Sequence, residues 1–243
     1  MMSSEFRFLS LGILKDNRFT KGLDFYRNQL KKHKGDVLEL GMHQLFLSEM
    51  LQTEGRKVDG KVYVEEREPS LPKKSLEENS SQKGKDFNRF NHYETIVIPF
   101  NEILALPERK AVIKVLTFLF QKLKNGGYVY LDLLLQEEYV PHKKYTFVDK
   151  KDAELTIFES EIIKINYIDQ QVTYLLSYEK WQEEKVKIRE RKLQPFVWFG
   201  VKEFKLILER VGFKEVKIIG EYDEKSTAYE THKVFTYVAQ KME

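Results

Sequence analysis

The sequence predicts an α/β fold: a mostly parallel sheet with helices on both faces that carries an inserted antiparallel β layer. Three observations support this fold class. The segments YETIVIPF at 93–100 and YVYLDLLL at 128–135 are continuous apolar strands, which are typical of a parallel sheet covered on both faces. A helical pattern lies between them. From Lys144 onward, strand-like segments follow one another directly, as in an antiparallel layer.

The chain before residue 65 is predicted to contain two helices and two strands. In the first helix, at 20–34, Leu23, Tyr26 and Leu30 share one face, and Phe25 lies off that face. The strand DVLEL, the helix HQLFLSEML and the strand KVDGKVYVEE follow at residues 36–40, 43–51 and 57–66. Strand, helix and strand in this order are expected of a parallel α/β unit.

Residues 65–85 differ from the rest because they are rich in charge, serine and proline and almost free of apolar side chains. Such a segment does not repay the entropy of ordering, so we expect a long exposed loop. After it, the strand 93–100 leads into a helix at 108–124, whose core face is formed by Val112, Val115, Leu116 and Leu119. We expect this helix to stop at a turn formed by Asn125, Gly126 and Gly127.

The inserted antiparallel layer is predicted from Tyr145 to Leu193, with IDQQ at 168–171 as a tight turn. A helix ending at Gly212 and two closing strands complete the chain, which we interpret as a single domain over residues 1–243. The late aromatic side chains are interpreted as the core of the added sheet, with a substrate pocket or partner surface as the alternative. They are Tyr174, Tyr178, Trp181, Phe196, Trp198 and Phe199.

Composition excludes several classes of function. Lysine and arginine number 41 against 38 acidic residues, so the net charge of +3 predicts neither a nucleic-acid nor a membrane partner. The absence of cysteine excludes disulfides, thiolate zinc sites and cysteine nucleophiles, and we expect a cytoplasmic protein. The five histidines lack metal-ligand spacing, so no metal is expected. Neither a phosphate-binding lysine loop nor a serine nucleophile elbow is found.

Two segments are candidates for a ligand site. GDVLELGMHQLFLSEML, at 35–51, is predicted to be a strand, a glycine turn and a helix. It is either a variant cofactor loop or a strand–helix unit that kept the fold and lost the ligand. IPFN, at 98–101, ends a central strand, where open α/β sheets bind ligands; the alternative is a simple turn.

The order and spacing of four motifs resemble the class I S-adenosylmethionine-dependent methyltransferases. The resemblance is to the small-molecule type, which has an antiparallel lid inserted late in its Rossmann-like sheet. The motifs are DVLELG at 36–41, YETIVIPFN at 93–101, LKNGGYVYLDL at 123–133 and FKLILERVGFKEV at 204–216. The resemblance implies the transfer of a methyl group from S-adenosylmethionine to a small acceptor.

The resemblance also implies a set of cofactor contacts, although it assigns no catalytic base. The contacts are Glu39, Gly41, Asp86, Phe87, Pro99 and Asn101. The sequence departs from the family pattern at His43 and Leu45, which replace two glycines, and at Val62, which stands where a carboxylate usually holds the ribose. The alternative is therefore a catalytically inactive protein of this fold that serves as a binding or regulatory partner of another protein.

Overall fold

The computed structural model describes residues 17–41, 45–48, 51, 58–62, 92–135, 139–226 and 229–242. The helices are α1 (Asn17–Lys31), α2 (Arg109–Lys122) and α3 (Val201–Val211), with 3-10 turns at Glu102–Ala105 and Tyr229–Thr231. The strands are β1 (Val37–Gly41), β2 (Asp59–Val62), β3 (Tyr93–Ile98), β4 (Leu123–Leu134), β5 (Lys144–Lys151), β6 (Glu154–Asn166), β7 (Gln171–Gln182), β8 (Lys185–Val197), β9 (Lys214–Gly220) and β10 (Val234–Gln240). The loop predicted at 65–85 lies outside the described residues.

Within the described residues, the main sheet has six strands in the order β2-β1-β3-β4-β10-β9. Strands β1 to β4 pair in parallel, and β10 is antiparallel to both β4 and β9. From β1 the chain moves outward to β2, whereas from β3 it moves in the opposite direction to β4. The order therefore reverses between β1 and β3, and a crevice is expected at their carboxyl ends. The predicted α/β class is confirmed.

The helices cover the sheet on both faces because neighbouring strand residues point to opposite sides. In β3, Ile96 and Ile98 pack with α2 and α3, whereas Val97 packs with α1. The predicted core face of α2 is confirmed, since its four apolar residues are buried. Continuous apolar strands are what this two-sided burial requires.

Helix α1 buries more than the predicted stripe. Tyr26 and Leu30 are fully buried and Leu23 is half-buried, as the periodicity indicates. Phe25, which we expected off the stripe, is also buried, and its ring centroid lies 5.7 Å from that of Tyr222. The loop after β9 covers this flank of the helix, so a second side of α1 faces protein.

The predicted turn after α2 is wrong. The helix ends at Lys122, and β4 already begins at Leu123 and runs through both glycines. The reason is close backbone packing: a Cβ on Gly127 would lie 2.8 Å from the Lys124 carbonyl oxygen and 2.9 Å from that of Glu94. Gly126, with φ +80°, supplies the left-handed residue that this path needs.

The antiparallel layer is a second sheet with the order β5-β6-β7-β8 among the described residues. It extends over Lys144–Val197, somewhat beyond the predicted Tyr145 to Leu193. The Gln194 amide donates to the Ala105 carbonyl oxygen at 3.2 Å, and the Gln171 amide donates to the Pro107 carbonyl oxygen. The layer therefore sits against the 3-10 turn that follows β3.

The late aromatic residues divide between two cores. Tyr178 packs with Phe158 in the added sheet, as predicted. Phe199, in contrast, belongs to the main core, where its ring centroid lies 5.2 Å from that of Phe204 in α3. None of the described helices has the length and apolar character needed to span a bilayer.

Candidate functional site

The candidate site lies at the carboxyl ends of β1 and β3, where the strand order reverses. Glu39 pairs in register with Val97, which brings Gly41 level with Pro99. The structure therefore brings Gly41, Pro99 and the neighbouring Asn101 to one crevice. The predicted contacts Asp86 and Phe87, the variant residue His43 and the side chain of Val62 lie outside the described residues.

Glu39 is fully buried, and its carboxylate is hydrogen-bonded to backbone amides of the same chain. It accepts hydrogen bonds from the backbone N–H groups of Phe46, Leu47 and Ser48 at 2.7, 2.9 and 2.6 Å. These amides open a helical segment, where a carboxylate satisfies otherwise unpaired donors. Burial raises the pKa of Glu39, and the amide hydrogen bonds oppose that rise. Glu39 thus fixes the loop after β1, and its direct contact with a cofactor stays a prediction.

The Leu45 side chain is accommodated by a glycine of the neighbouring strand, β2. An added Cβ on Gly60 would come within 2.5 Å of the Leu45 Cδ1 atom and 2.7 Å of the Ser48 Oγ atom. The last glycine of a dinucleotide-type loop normally lets the helix approach the sheet closely. Here Gly60 in the neighbouring strand provides that space instead, and Leu45 is directed toward β2.

The turn after β3 has an uncommon backbone. Phe100 and Asn101 are consecutive non-glycine residues in the left-handed region, with φ values of 55° and 62°. The Phe100 N–H donates to the Asp132 carboxylate at 2.8 Å. Within the described part of the chain, the Asn101 Oδ1 atom is buried and accepts no hydrogen bond. A ligand donor at this edge of the crevice would satisfy it.

Asp132, in β4, is fully buried beneath this turn. Besides the Phe100 amide, its carboxylate accepts hydrogen bonds from the hydroxyls of Tyr222 at 2.9 Å and Thr236 at 2.6 Å. Burial raises the pKa of Asp132, and these hydrogen bonds oppose that rise. Burial, and next the charge of Asp132, raises the pKa of Tyr26. Asp132 was not predicted as a site residue, although a carboxylate inside the apolar strand YVYLDLLL indicates a buried and paired acidic group.

Aromatic side chains line the same region. The ring centroids of Phe46 and Phe100 are 4.9 Å apart, and that of Tyr26 lies 6.1 Å from Phe100 and 6.3 Å from Tyr222. Phe46 follows β1 and Phe100 follows β3, so their contact joins the two sides of the crevice. Phe46 lies in the candidate segment 35–51 but was not predicted as a site residue, and Tyr222 lies in no recognisable motif.

The residues present fit a cofactor on two counts. Gly41 ends β1 without a side chain that would occupy the expected crevice, and the Asn101 amide oxygen, just after β3, is buried without a hydrogen bond among the described residues. Among the described residues, no group of three or more histidines and acidic residues is arranged to hold a metal ion. The glycine, the amide and the aromatic rings at this edge of the sheet are groups that suit an organic ligand.

Comparison with known proteins gives matches among solved structures. No protein-family model and no curated protein matches the chain. An S-adenosylmethionine-dependent methyltransferase from Clostridium acetobutylicum is 12% identical with a TM-score of 0.63, over 98% of this chain and 97% of that one. The CcbJ methyltransferase from Streptomyces caelestis is 15% identical with a TM-score of 0.64, over 93% and 96%. S-adenosylmethionine-bound CalS10, an amino pentose methyltransferase from Micromonospora echinaspora, is 9% identical with a TM-score of 0.60, over 93% and 92%.

These similarities cover nearly the whole of each chain, although sequence identity is low. They show the fold, but at this level of sequence identity they do not establish that the protein has methyltransferase activity. The family resemblance predicted from the four sequence motifs is confirmed at that level. The chain has the fold of the class I S-adenosylmethionine-dependent methyltransferases.

Proposed function

We propose that this protein is an S-adenosylmethionine-dependent methyltransferase that acts on a small acceptor. The observation that carries the proposal is the reversal of strand order between β1 and β3, with Gly41 at the end of β1 and, after β3, an Asn101 amide oxygen that is buried and without a hydrogen bond among the described residues. The similarity of the chain to small-molecule methyltransferases along its length supports the same function.

In this proposal, Gly41, Pro99 and Asn101 hold the cofactor, and by family resemblance Asp86 and Phe87 lie near its adenine. S-adenosylmethionine, when bound, supplies an electrophilic methyl group on its sulfonium. The chain contributes mainly by positioning the acceptor in line with that methyl group and by excluding water. Glu39 acts indirectly, since its carboxylate holds the loop that follows Gly41.

Calorimetric titration with S-adenosylhomocysteine tests the proposal. We expect the wild type to bind, and the Gly41→Val variant to lose binding because its side chain enters the crevice. Gly126→Ala is the matched control, since Gly126 lies at the opposite end of the sheet and an added Cβ there meets no atom within 4 Å. No heat at millimolar ligand would overturn the proposal. Equal binding by wild type and Gly41→Val would mean that the site is elsewhere.

A second candidate function is a catalytically silent protein of this fold that binds or regulates a protein partner. The contact of Phe46 with Phe100 favours it, because two rings with centroids 4.9 Å apart join the sides of the crevice. In this alternative, the aromatic contacts replace the ligand and the retained fold serves as a binding surface.

The Phe46→Ala variant separates the two functions. If the ring only lines a working site, wild type and variant both bind S-adenosylhomocysteine. If the ring closes the crevice, the wild type gives no heat and the variant gains binding. For the silent protein, we also expect a stable protein partner to co-purify with the chain. A purified monomer without a partner would contradict the silent function.

A further inference from the structure

We infer that Asp132 is a positioning residue for the candidate site: its buried carboxylate fixes the Phe100–Asn101 turn and so sets where the Asn101 amide faces the crevice. The part of this inference that concerns a ligand rests on the proposed function. The part that concerns the turn rests only on the geometry of the described residues.

The turn needs external support. Two consecutive non-glycine residues in the left-handed region are strained, and such a conformation persists only where the surroundings hold it. The first support is the hydrogen bond from the Phe100 N–H to the Asp132 carboxylate, at 2.8 Å. Its acceptor is a fully buried carboxyl oxygen, and an unsatisfied polar group at such depth is costly, so this hydrogen bond holds the Phe100 amide in place. The second support is the packing of the Phe100 ring against Phe46 and Tyr26.

The carboxylate is itself fixed from two further elements. Thr236 lies directly opposite Asp132 in the antiparallel pair of β10 and β4, and its hydroxyl donates to Oδ1 at 2.6 Å. The Tyr222 hydroxyl donates to Oδ2 at 2.9 Å, which is the oxygen that also accepts from Phe100. The position of the turn is therefore defined by two paired strands in the middle of the sheet, which are rigid elements.

The consequence for the site follows from chain connectivity. Asn101 directly follows Phe100, and its Oδ1 atom is buried and unpartnered within the described part of the chain. A shift of the Phe100 amide changes the direction of the next side chain. Because a misplacement of about 1 Å can cost roughly a hundredfold in function, Asp132 acts on the site through this turn.

Three variants test the inference. Asp132→Leu removes every acceptor, whereas Asp132→Asn loses the charge and one of the two acceptor oxygens, which weakens the hydrogen bond from the Phe100 N–H. Thr236→Val is the matched control: it removes a hydrogen bond to the same carboxylate, at the same depth, from the side away from the turn. The measurement is amide hydrogen exchange at Phe100 and Asn101 by NMR, without ligand.

We expect Asp132→Leu to accelerate exchange of the Phe100 amide by about tenfold or more, Asp132→Asn by less, and Thr236→Val by under about twofold. If Asp132→Leu does not fold, the comparison of Asp132→Asn with Thr236→Val decides. Equal acceleration by these two variants would overturn the inference, since it would show general loosening of the core.

The ligand part is tested by calorimetry with S-adenosylhomocysteine. We expect affinity to fall in the same order as the exchange protection, and the Asp132 effect to vanish in an Asn101→Ala background. If the wild type gives no heat while the exchange order holds, the proposed function fails and the role of Asp132 in the turn stands. If affinity is the same in all variants while exchange changes, the positioning role toward a ligand is overturned.

Discussion

Leu45 packs directly against Gly60, a residue of the neighbouring strand. The Leu45 Cδ1 atom lies 2.5 Å from the position that a Cβ on Gly60 would take. By the family resemblance, Leu45 stands where a glycine is usual, and Gly60 in the neighbouring strand leaves space for the Leu45 side chain. The departure at Leu45 therefore preserves the close approach of helix and sheet, and it does not by itself argue against a ligand.

The Gly60→Ala variant tests this relationship. We expect it to lower the free energy of unfolding by about 1–3 kcal/mol, because the new methyl group overlaps the Leu45 and Ser48 side chains. Urea denaturation measures the change. In a Leu45→Ala background the cost should shrink by about 1 kcal/mol. A cost that is the same in both backgrounds would show that Leu45 is not the residue that requires the glycine.

The fold was predictable from the sequence because its signals are local and repeated. The apolar strand 93–100, the core face of α2 and the direct succession of strands after Lys144 each indicate an element without knowledge of its neighbours. The turn at Gly126 was wrongly predicted since its reason is not local. Gly127 permits close packing against the Glu94 carbonyl oxygen, and the Gly126 N–H donates to the Lys241 carbonyl oxygen at 2.7 Å, so both contacts involve backbone that is distant in sequence.

The site was only partly predictable for the same reason. Gly41 and Asn101 were found because they occupy recognisable positions after strands. Asp132 was missed because its three donors come from Phe100, Tyr222 and Thr236, which lie 32, 90 and 104 positions away from it along the chain. Only the fold brings these groups to one carboxylate.

Glu39 gives a pH-dependent prediction. Its pKa is raised in the folded state, mainly by burial, so the folded state holds this proton more tightly than the unfolded state does. The contribution of this bound proton to the free energy of unfolding is present in full below the unfolded-state pKa near 4.5. It is lost as pH rises through the pKa of the folded state. We therefore expect the unfolding free energy of the wild type, minus that of Glu39→Gln, to fall as pH increases from 4.5 toward neutrality.

Glu203→Gln is the control, because the pH dependence of its unfolding free energy is expected to have the opposite sign. Although partial burial opposes it, hydrogen bonds from the Gly200 amide and Arg109 lower the pKa of Glu203. Its contribution is present above the unfolded value and lost as pH falls, so the difference for Glu203→Gln should rise with pH. Parallel curves for the two variants would contradict the conclusion that burial outweighs the amide hydrogen bonds in setting the pKa of Glu39.

Gly212 and Gly126 form a matched pair for backbone strain. Both have positive φ, but a Cβ on Gly212 would lie 2.9 Å from the Phe120 ring, whereas one on Gly126 meets nothing within 4 Å. Gly126→Ala should cost only the strain of about 1 kcal/mol. Gly212→Ala should cost more, because it adds the overlap at the end of α3. Thermal unfolding of both variants measures the difference, and equal costs would contradict the contact with Phe120.

Gly22 links α1 to the candidate site. A Cβ there would come within 2.7 Å of the Phe100 ring and 3.0 Å of the Tyr222 ring, so the helix docks on the two aromatic residues that also bind Asp132. Alanine favours a helix over glycine by about 1 kcal/mol. We nevertheless expect Gly22→Ala to destabilise the protein, because the overlap displaces α1 or the turn.

Asn28→Ala, on the exposed side of α1, is the control for Gly22→Ala and should be neutral or slightly stabilising through helix propensity alone. Urea denaturation and titration with S-adenosylhomocysteine compare the two variants. If α1 supports the turn, Gly22→Ala weakens both stability and ligand affinity, whereas Asn28→Ala changes neither by much. A stabilised Gly22→Ala variant with unchanged affinity would show that α1 tolerates a methyl group here, and that the Phe100–Asn101 turn is set by β4 and β10 without the helix.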